Sequence, residues 1–157
     1  MSNPRTTHDH IPTEHLARAA GVIALAAVAI IHVSDLSDTL EEIPLIGYGY
    51  LLLIAATLAT AAMLMTVPGP RVWALANLVA SGAILAYVLS RTTGLPTDTL
   101  DVGNWNCALG TAAISTETLI VLLAAWRMQP QRLLLGPAYR NIISAEPKVT
   151  APADSAG

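Results

Sequence analysis

Four long apolar blocks restrict the fold of this sequence more than any other feature. Each contains roughly 18 to 21 residues, and they cover residues 16–34, 47–67, 72–90 and 108–126. A helix of that length, rising about 1.5 Å per residue, crosses the roughly 30 Å hydrocarbon core of a bilayer. The chain is 54% hydrophobic and only 12% charged, which sets it apart from average soluble proteins. The blocks therefore predict four transmembrane helices, at about residues 14–34, 47–67, 72–90 and 108–127.

The same blocks argue against two alternative fold classes. They lack the alternation of apolar and polar residues that marks a membrane β-barrel. They are apolar nearly all round, whereas the helices of a soluble bundle each have a polar face. We therefore expect an all-α protein, a transmembrane four-helix bundle over residues 13–128. It would be preceded by a disordered tail at 1–12 and followed by a largely disordered tail at 129–157.

The charged residues predict how the chain is threaded through the membrane. Only Arg91 falls on the side that carries six acidic residues, and the other seven basic residues share the opposite side: Arg5, Arg18, Arg71, Arg127, Arg132, Arg140 and Lys148. Cytoplasmic loops of membrane proteins carry the excess of Lys and Arg. We therefore expect cytoplasmic N- and C-termini in a multi-pass protein. The dominance of Arg over Lys in an Ala-rich chain points to a bacterial cytoplasmic membrane.

The connections between the blocks carry signals of their own. Pro68, Gly69 and Pro70 predict a tight reversal, so the second and third helices should be antiparallel neighbours. Apolar residues spaced by four and three in segment 36–43 predict a short helical turn at the membrane interface. The longest connection, residues 91–110, contains Trp105, a residue suited to the interface. We expect these outer segments to form an ordered cap.

Glu117 lies near the middle of the fourth block, about 10 Å from its outer end and about 13 Å from its inner end. Steps of three and four residues place it on one helix face with small residues that let another helix approach closely: Gly110, Ala113 and Ala124. That face is expected to point into the bundle. Ser81 and Tyr87 of the third helix lie at the depths that bracket the carboxyl group.

Two interpretations of this intramembrane polar cluster follow. An ionisable residue at such a depth is, by default, a proton-relay or ligand-binding residue. Alternatively, Glu117 joins helices by a hydrogen bond to Ser81 or Tyr87. The sequence suggests no second buried acid or base at the same depth, and this favours the structural interpretation.

His32 and Asp35, at the outer end of the first helix, are candidates for a site on the outer face. With Glu41 and Glu42, His32 could bind a transition metal, although no established metal-binding spacing is present. A histidine hydrogen-bonded to a loop is the preferred interpretation. Haem needs a second axial ligand, and no other histidine lies within the four blocks. No metal or haem cofactor is therefore predicted.

Arg91 and Trp105 complete the outer-face candidates. Arg91 is expected to pair with Asp98 or Asp101, or with lipid phosphates, and Trp105 to anchor the loop at the interface. Cys107 is the single cysteine, which excludes an internal disulfide and leaves its own role open. The sequence has no basic stripe and no phosphate-binding loop, so no nucleic-acid partner is expected.

The segments "LAYVLSRTTGLP" at 85–96 and "DVGNW" at 101–105, followed by a helix that carries Glu117, resemble a group of small four-span membrane proteins common in actinobacteria. "IIHVSDL" and "EEIPLIGYGYLLL" are similar to the same group. Its members are mostly described as integral membrane proteins without an assigned activity. The resemblance therefore implies the fold and topology. Members often have Glu-Pro after the Trp, where this chain has Asn106 and Cys107.

Three classes of function follow from the sequence. The preferred one is a non-enzymatic accessory or interaction protein, because structural roles can be assigned to all the polar residues. The second is a small transporter or ligand-binding protein that uses Glu117, Tyr87, Ser81 and His32. The third is a metal- or haem-dependent redox protein. The expected partners are the lipid bilayer and either another membrane protein or further copies of this chain.

Overall fold

The computed structural model describes residues 13–67 and 69–129, and these ranges are all-helical. The helices are α1 (Thr13–Ser34), α2 (Leu36–Glu42), α3 (Pro44–Thr66), α4 (Pro70–Thr92) and α5 (Ala108–Met128). No strand occurs in the described ranges, which contain only an isolated bridge between Leu95 and Asp98. The tails predicted at 1–12 and 129–157, apart from Gln129, lie outside the described residues. So do Pro68 and four of the basic residues used to predict the topology: Arg5, Arg132, Arg140 and Lys148.

The four long helices predicted from the apolar blocks are present. α1, α3, α4 and α5 are each long and apolar enough to cross a membrane. The short helix α2 occupies the segment where a helical turn was predicted. α3 begins at Pro44 rather than at residue 47, and α4 begins at Pro70 rather than at residue 72. Both differences arise because proline is favoured in the first helical turn, where its missing N–H is not needed.

The long helices form a ring in the order α1, α3, α4, α5, in which each helix packs against two neighbours. α3 and α4 are neighbours, as the tight reversal predicted, and Gly69 makes the turn with a φ of 132°. The bundle has two distinct ends. We call the end where α1 begins and α5 finishes the terminal end, and the end that carries α2 and the 93–107 loop the loop end.

The closely packed core lies toward the terminal end. Leu25, Leu64 and Ile120 are each no more than 1% exposed there. Trp73 lies over Gly21 so closely that an added Cβ would be 3.0 Å from its ring. This half of the bundle is therefore closely packed around these residues.

Two polar contacts join helices at the terminal end. Arg18 Nε donates a hydrogen bond of 2.6 Å to the carbonyl oxygen of Leu64, one of the last carbonyl groups of α3. Arg127 of α5 lies 3.9 Å from Glu14 of α1. A basic side chain that bonds a carbonyl at a helix C-terminus stabilises that terminus. The contacts hold the ends of α1, α3 and α5 together.

The loop end is held by backbone contacts. Leu95 and Asp98 exchange hydrogen bonds of 2.8 and 2.9 Å, and the Gly103 N–H donates to the Arg91 carbonyl oxygen at 2.9 Å. Gly94 and Gly103 both have φ near +80°, a region that glycine adopts without a steric penalty. The 93–107 loop is therefore ordered and attached to the end of α4.

Candidate functional site

A cavity of about 750 Å³ lies in the loop-end half of the bundle. This volume falls within the range of roughly 300–1,000 Å³ typical of small-molecule sites. α3 and α4 supply most of its wall, and the 93–107 loop borders it at the loop end. The far wall comes from the other two long helices, with Ile31 and His32 from α1 and Leu109, Gly110, Ala113 and Glu117 from α5, and from Asp35, which follows α1.

The cavity opens sideways between α3 and α4. Its wall includes Gly49 and Leu52 of α3 and Leu78 and Gly82 of α4, all of which are exposed on the surface of the bundle. A Cβ added at Gly49 or Gly82 would meet no other atom within 4 Å. Leu78 and Gly82 lie well inside the apolar span of α4, whereas Gly49 lies near the loop-end start of α3. In a bilayer the opening would therefore face acyl chains rather than water.

Glu117 lies in the far wall of the cavity and is only 2% exposed. It belongs to the inward face of α5, on which Ala113, Ile120 and Ala124 are also buried at steps of three and four residues. Its Oε2 atom has no hydrogen-bond partner within the part of the chain that the structure describes. Leaving a buried polar atom unsatisfied costs about 1–3 kcal/mol, and such atoms are rare in native proteins. The carboxyl group therefore has unused capacity to bind a ligand.

His32 extends from α1 toward the same carboxyl group. Its Nε2 atom lies 4.0 Å from Oε1 of Glu117. Its Nδ1 atom lies 2.9 Å from the carbonyl oxygen of Val28, and a carbonyl can only accept, so Nδ1 carries the proton of that hydrogen bond. In the neutral ring Nε2 is then free to accept a proton.

The prediction that no second buried acid or base lies at the depth of Glu117 is wrong, because His32 is 9% exposed and faces it. The prediction took the end of α1 as the membrane surface and therefore placed His32 close to that surface. In the structure, residues from beyond that end also line the cavity, among them Asp35, Leu95 and Asp98. His32 consequently lies inside the bundle rather than at its surface.

Arg91 and Asp101 form an ion pair at the loop end of the cavity. Asp101 is one of the two partners predicted for Arg91. The other, Asp98, is 5% exposed and accepts a hydrogen bond of 3.1 Å from the N–H of Leu100 instead. Because Arg91 is only 7% exposed, it faces the cavity and loop rather than lipid phosphates.

Tyr87 links Arg91 to the loop and to α5. The Arg91 guanidinium lies 5.0 Å from the centroid of the Tyr87 ring, and the Trp105 ring meets Tyr87 edge-on at 6.1 Å. Tyr87 also packs directly over Gly110, where an added Cβ would lie 2.6 Å from its ring. The small residue at 110 therefore brings α4 and α5 together, as its position on the small-residue face predicted.

Four of the predicted residues do not line the cavity, and one of them, Trp105, contacts the wall residue Tyr87. Ser81 is exposed, because Ala76 and Ala80 occupy the inward face of α4 and the next residue is turned by about 100°. The predicted hydrogen bond between Ser81 and Glu117 is therefore absent. Glu41 and Glu42 are exposed on α2 and do not line the cavity. Within residues 13–67 and 69–129, no group of three or more His, Cys, Asp or Glu side chains could hold a metal ion.

Tyr50 of α3 is a wall residue that the sequence analysis missed. Its ring meets His32 edge-on, with the centroids 4.8 Å apart and the planes at 88°. The sequence did contain a signal for this residue. Tyr50 places a phenol inside an apolar block, at a depth close to that of His32 on the neighbouring helix. His32 is therefore held between Tyr50 on one side and Glu117 on another.

Comparisons with protein-family models, curated proteins and solved structures found no match to this chain. The resemblance to the actinobacterial four-span group stays a prediction.

The arrangement joins an apolar opening to a polar interior. A molecule with an apolar body could occupy the space between α3 and α4, where Leu52, Leu53 and Leu78 provide contacts. Its polar group would then meet Glu117 and His32. Sites of this kind, mostly apolar with a few convergent polar groups, are typical of small-molecule binding proteins.

Proposed function

We propose that this chain is a membrane protein that binds a small amphipathic molecule, which it receives sideways from the bilayer. A single observation carries the proposal: the cavity between α3 and α4 leads to a buried carboxyl oxygen of Glu117 that has no partner among the described residues. The ligand-binding interpretation of Glu117 therefore replaces the structural one as the preferred account.

The unsatisfied oxygen is what favours ligand binding over a structural role. A carboxyl group retained only to join helices would be expected to bond both neighbours and leave no buried oxygen free. An oxygen retained for a ligand is unsatisfied until the ligand binds, and natural proteins accept such local costs at functional sites. The position of Glu117 on the cavity wall fits the second case.

The membrane setting extends the proposal. We infer that the loop end lies outside the cell and the terminal end in the cytoplasm of a bacterium, because Arg18, Arg71 and Arg127 belong to the terminal end and acidic residues to the loop end. Binding alone, carriage across the membrane, and a role as an accessory subunit that senses the ligand all fit this setting. A metal- or haem-dependent activity stays the least supported class, and visible absorption with metal analysis of the purified protein tests it.

A leucine at Gly82 is expected to block the opening of the cavity and to reduce the amount of bound small molecule by about tenfold or more, since the leucine side chain would fill free space. Native mass spectrometry of protein extracted from its own membrane in lipid nanodiscs would measure the bound fraction. Ser81→Leu is the matched control, because Ser81 is the adjacent exposed residue and does not line the cavity. Equal adduct in wild type and Gly82→Leu would contradict the proposal.

A further inference from the structure

We propose that the ligand is a hydrophobic organic cation and that it exchanges with a proton on Glu117. The inference rests on the proposed function and adds the charge of the ligand and the consequence of its binding. The apolar opening between α3 and α4 requires a hydrophobic body, and the groups that line the polar interior decide its charge.

The cavity lining contains more acidic than basic groups. Four carboxyl groups line it, from Asp35, Asp98, Asp101 and Glu117, against one guanidinium, that of Arg91. The charge of Arg91 is already balanced by Asp101, and its guanidinium lies against the Tyr87 ring. Its Nε atom has no hydrogen-bond partner among the described residues, but the ion pair leaves no net positive charge there to attract an anion. An anion would therefore meet uncompensated carboxyl groups, whereas a cation would gain a partner.

The titratable and charged groups that line the cavity together with Glu117 come from every neighbouring element. α1 contributes His32, the junction between α1 and α2 contributes Asp35, α3 contributes Tyr50, and α4 contributes Tyr87 and Arg91. The 93–107 loop contributes Asp98, Asp101 and Cys107. Of these, His32 is the group that the structure places next to the carboxyl, at 4.0 Å. No Lys or Arg side chain of the described residues forms an ion pair with Glu117.

A buried carboxylate needs either a proton or a cation, because burying an unpaired charge is costly. In the absence of ligand the carboxyl group holds the proton. When the cation arrives, the O–H bond of Glu117 breaks, the proton passes to Nε2 of His32 and then to water at the loop end, and the carboxylate pairs with the cation. One positive charge enters and one leaves, so the net charge of the site does not change.

The test uses two size-matched probes of opposite permanent charge, tetraphenylphosphonium and tetraphenylborate, with the full chain in lipid nanodiscs. Neither probe titrates, so any dependence on pH belongs to the protein. Isothermal titration calorimetry in buffers of different ionisation enthalpy measures the affinity and the number of protons released. We expect the phosphonium to bind with release of about one proton. Its affinity should rise with pH by up to about tenfold per unit while free Glu117 is protonated.

Glu117→Gln is expected to weaken phosphonium binding by about thirtyfold or more and to remove both the proton release and the pH dependence. Asp38→Asn, at an exposed position of α2 outside the cavity, is the control for loss of an acidic residue and should leave all three unchanged. The number of protons that the wild-type protein releases on binding the phosphonium tests the proposal even if the variant does not fold.

The outcomes separate the two proposals. Phosphonium binding without proton release, or equal binding of the two probes, overturns the cation–proton exchange. If Gly82→Leu then weakens both probes, the cavity is still a ligand site and the proposed function is supported. If Gly82→Leu weakens neither probe, the proposed function fails as well.

Discussion

Replacing Glu117 with methionine is expected to stabilise the bundle. Methionine has a similar length and no polar atom that needs a hydrogen bond, and Oε2 of Glu117 has no partner to lose. Removing one unsatisfied buried polar group should raise the free energy of unfolding by about 1–3 kcal/mol. Thermal unfolding followed by circular dichroism in one detergent would show a higher melting temperature. The same variant should lose ligand binding.

Thr60→Val is the matched control for this substitution. Thr60 is also buried in a long helix, at 1% exposure, but its hydroxyl group donates a hydrogen bond of 2.7 Å to the Ala56 carbonyl oxygen. Because this polar group is satisfied, its removal should not raise the melting temperature. A lower melting temperature for Glu117→Met than for wild type would mean that Glu117 joins helices, as the structural interpretation predicted.

Replacing Arg91 with leucine is expected to loosen the 93–107 loop. The change removes the ion pair with Asp101 and the contact with the Tyr87 ring. Asp101 is 40% exposed and is partly rehydrated, so the loss should be about 1–2 kcal/mol rather than the full cost of a buried pair. Local opening of the loop should then be about 5- to 30-fold more frequent.

Cys107 reports this opening directly. It is the single cysteine of the chain, it is partly exposed, and it lines the cavity at the end of the loop. The rate of its labelling by a water-soluble maleimide should rise by the same factor in Arg91→Leu. Arg71→Leu removes an exposed arginine at the other end of the bundle and should leave the rate unchanged. An unchanged rate in Arg91→Leu would show that the ion pair does not hold the loop.

The long helices could be predicted from the sequence because apolar blocks of this length are compatible with few structures other than membrane-spanning helices. The inward position of Glu117 was predictable for a related reason, since the spacing of Ala113, Glu117 and Ala124 defines one helix face. An acidic partner for Arg91 was predictable from opposite charges in neighbouring outer segments, although the sequence did not decide between Asp98, Asp101 and lipid phosphates. These features depend on local periodicity or on charge, both of which a single sequence contains.

The cavity could not be predicted, because it depends on how helices approach one another. The proximity of His32 to Glu117 joins α1 to α5 and depends on the depth at which α1 ends inside the bundle. Ser81 faces outward because of the way α4 is rotated about its own axis. The sequence of α4 does not predict this rotation, because its polar and apolar residues do not define two clear faces. Counting residues from the ends of a block predicts the depth of each residue but not the rotation of its helix. It therefore placed Ser81 beside Glu117, whereas Ser81 faces outward and only Tyr87 lines the same cavity.

Infrared difference spectroscopy of Glu117 tests the central claim most directly, namely that its carboxyl group receives the ligand. Spectra would be recorded on wild-type protein in nanodiscs with and without tetraphenylphosphonium, and Glu117→Gln would assign the carboxyl band. We predict that the probe removes the C=O stretching band of protonated Glu117 and produces carboxylate bands, with no such change in the variant. A band that persists unchanged while the probe is bound would contradict the account.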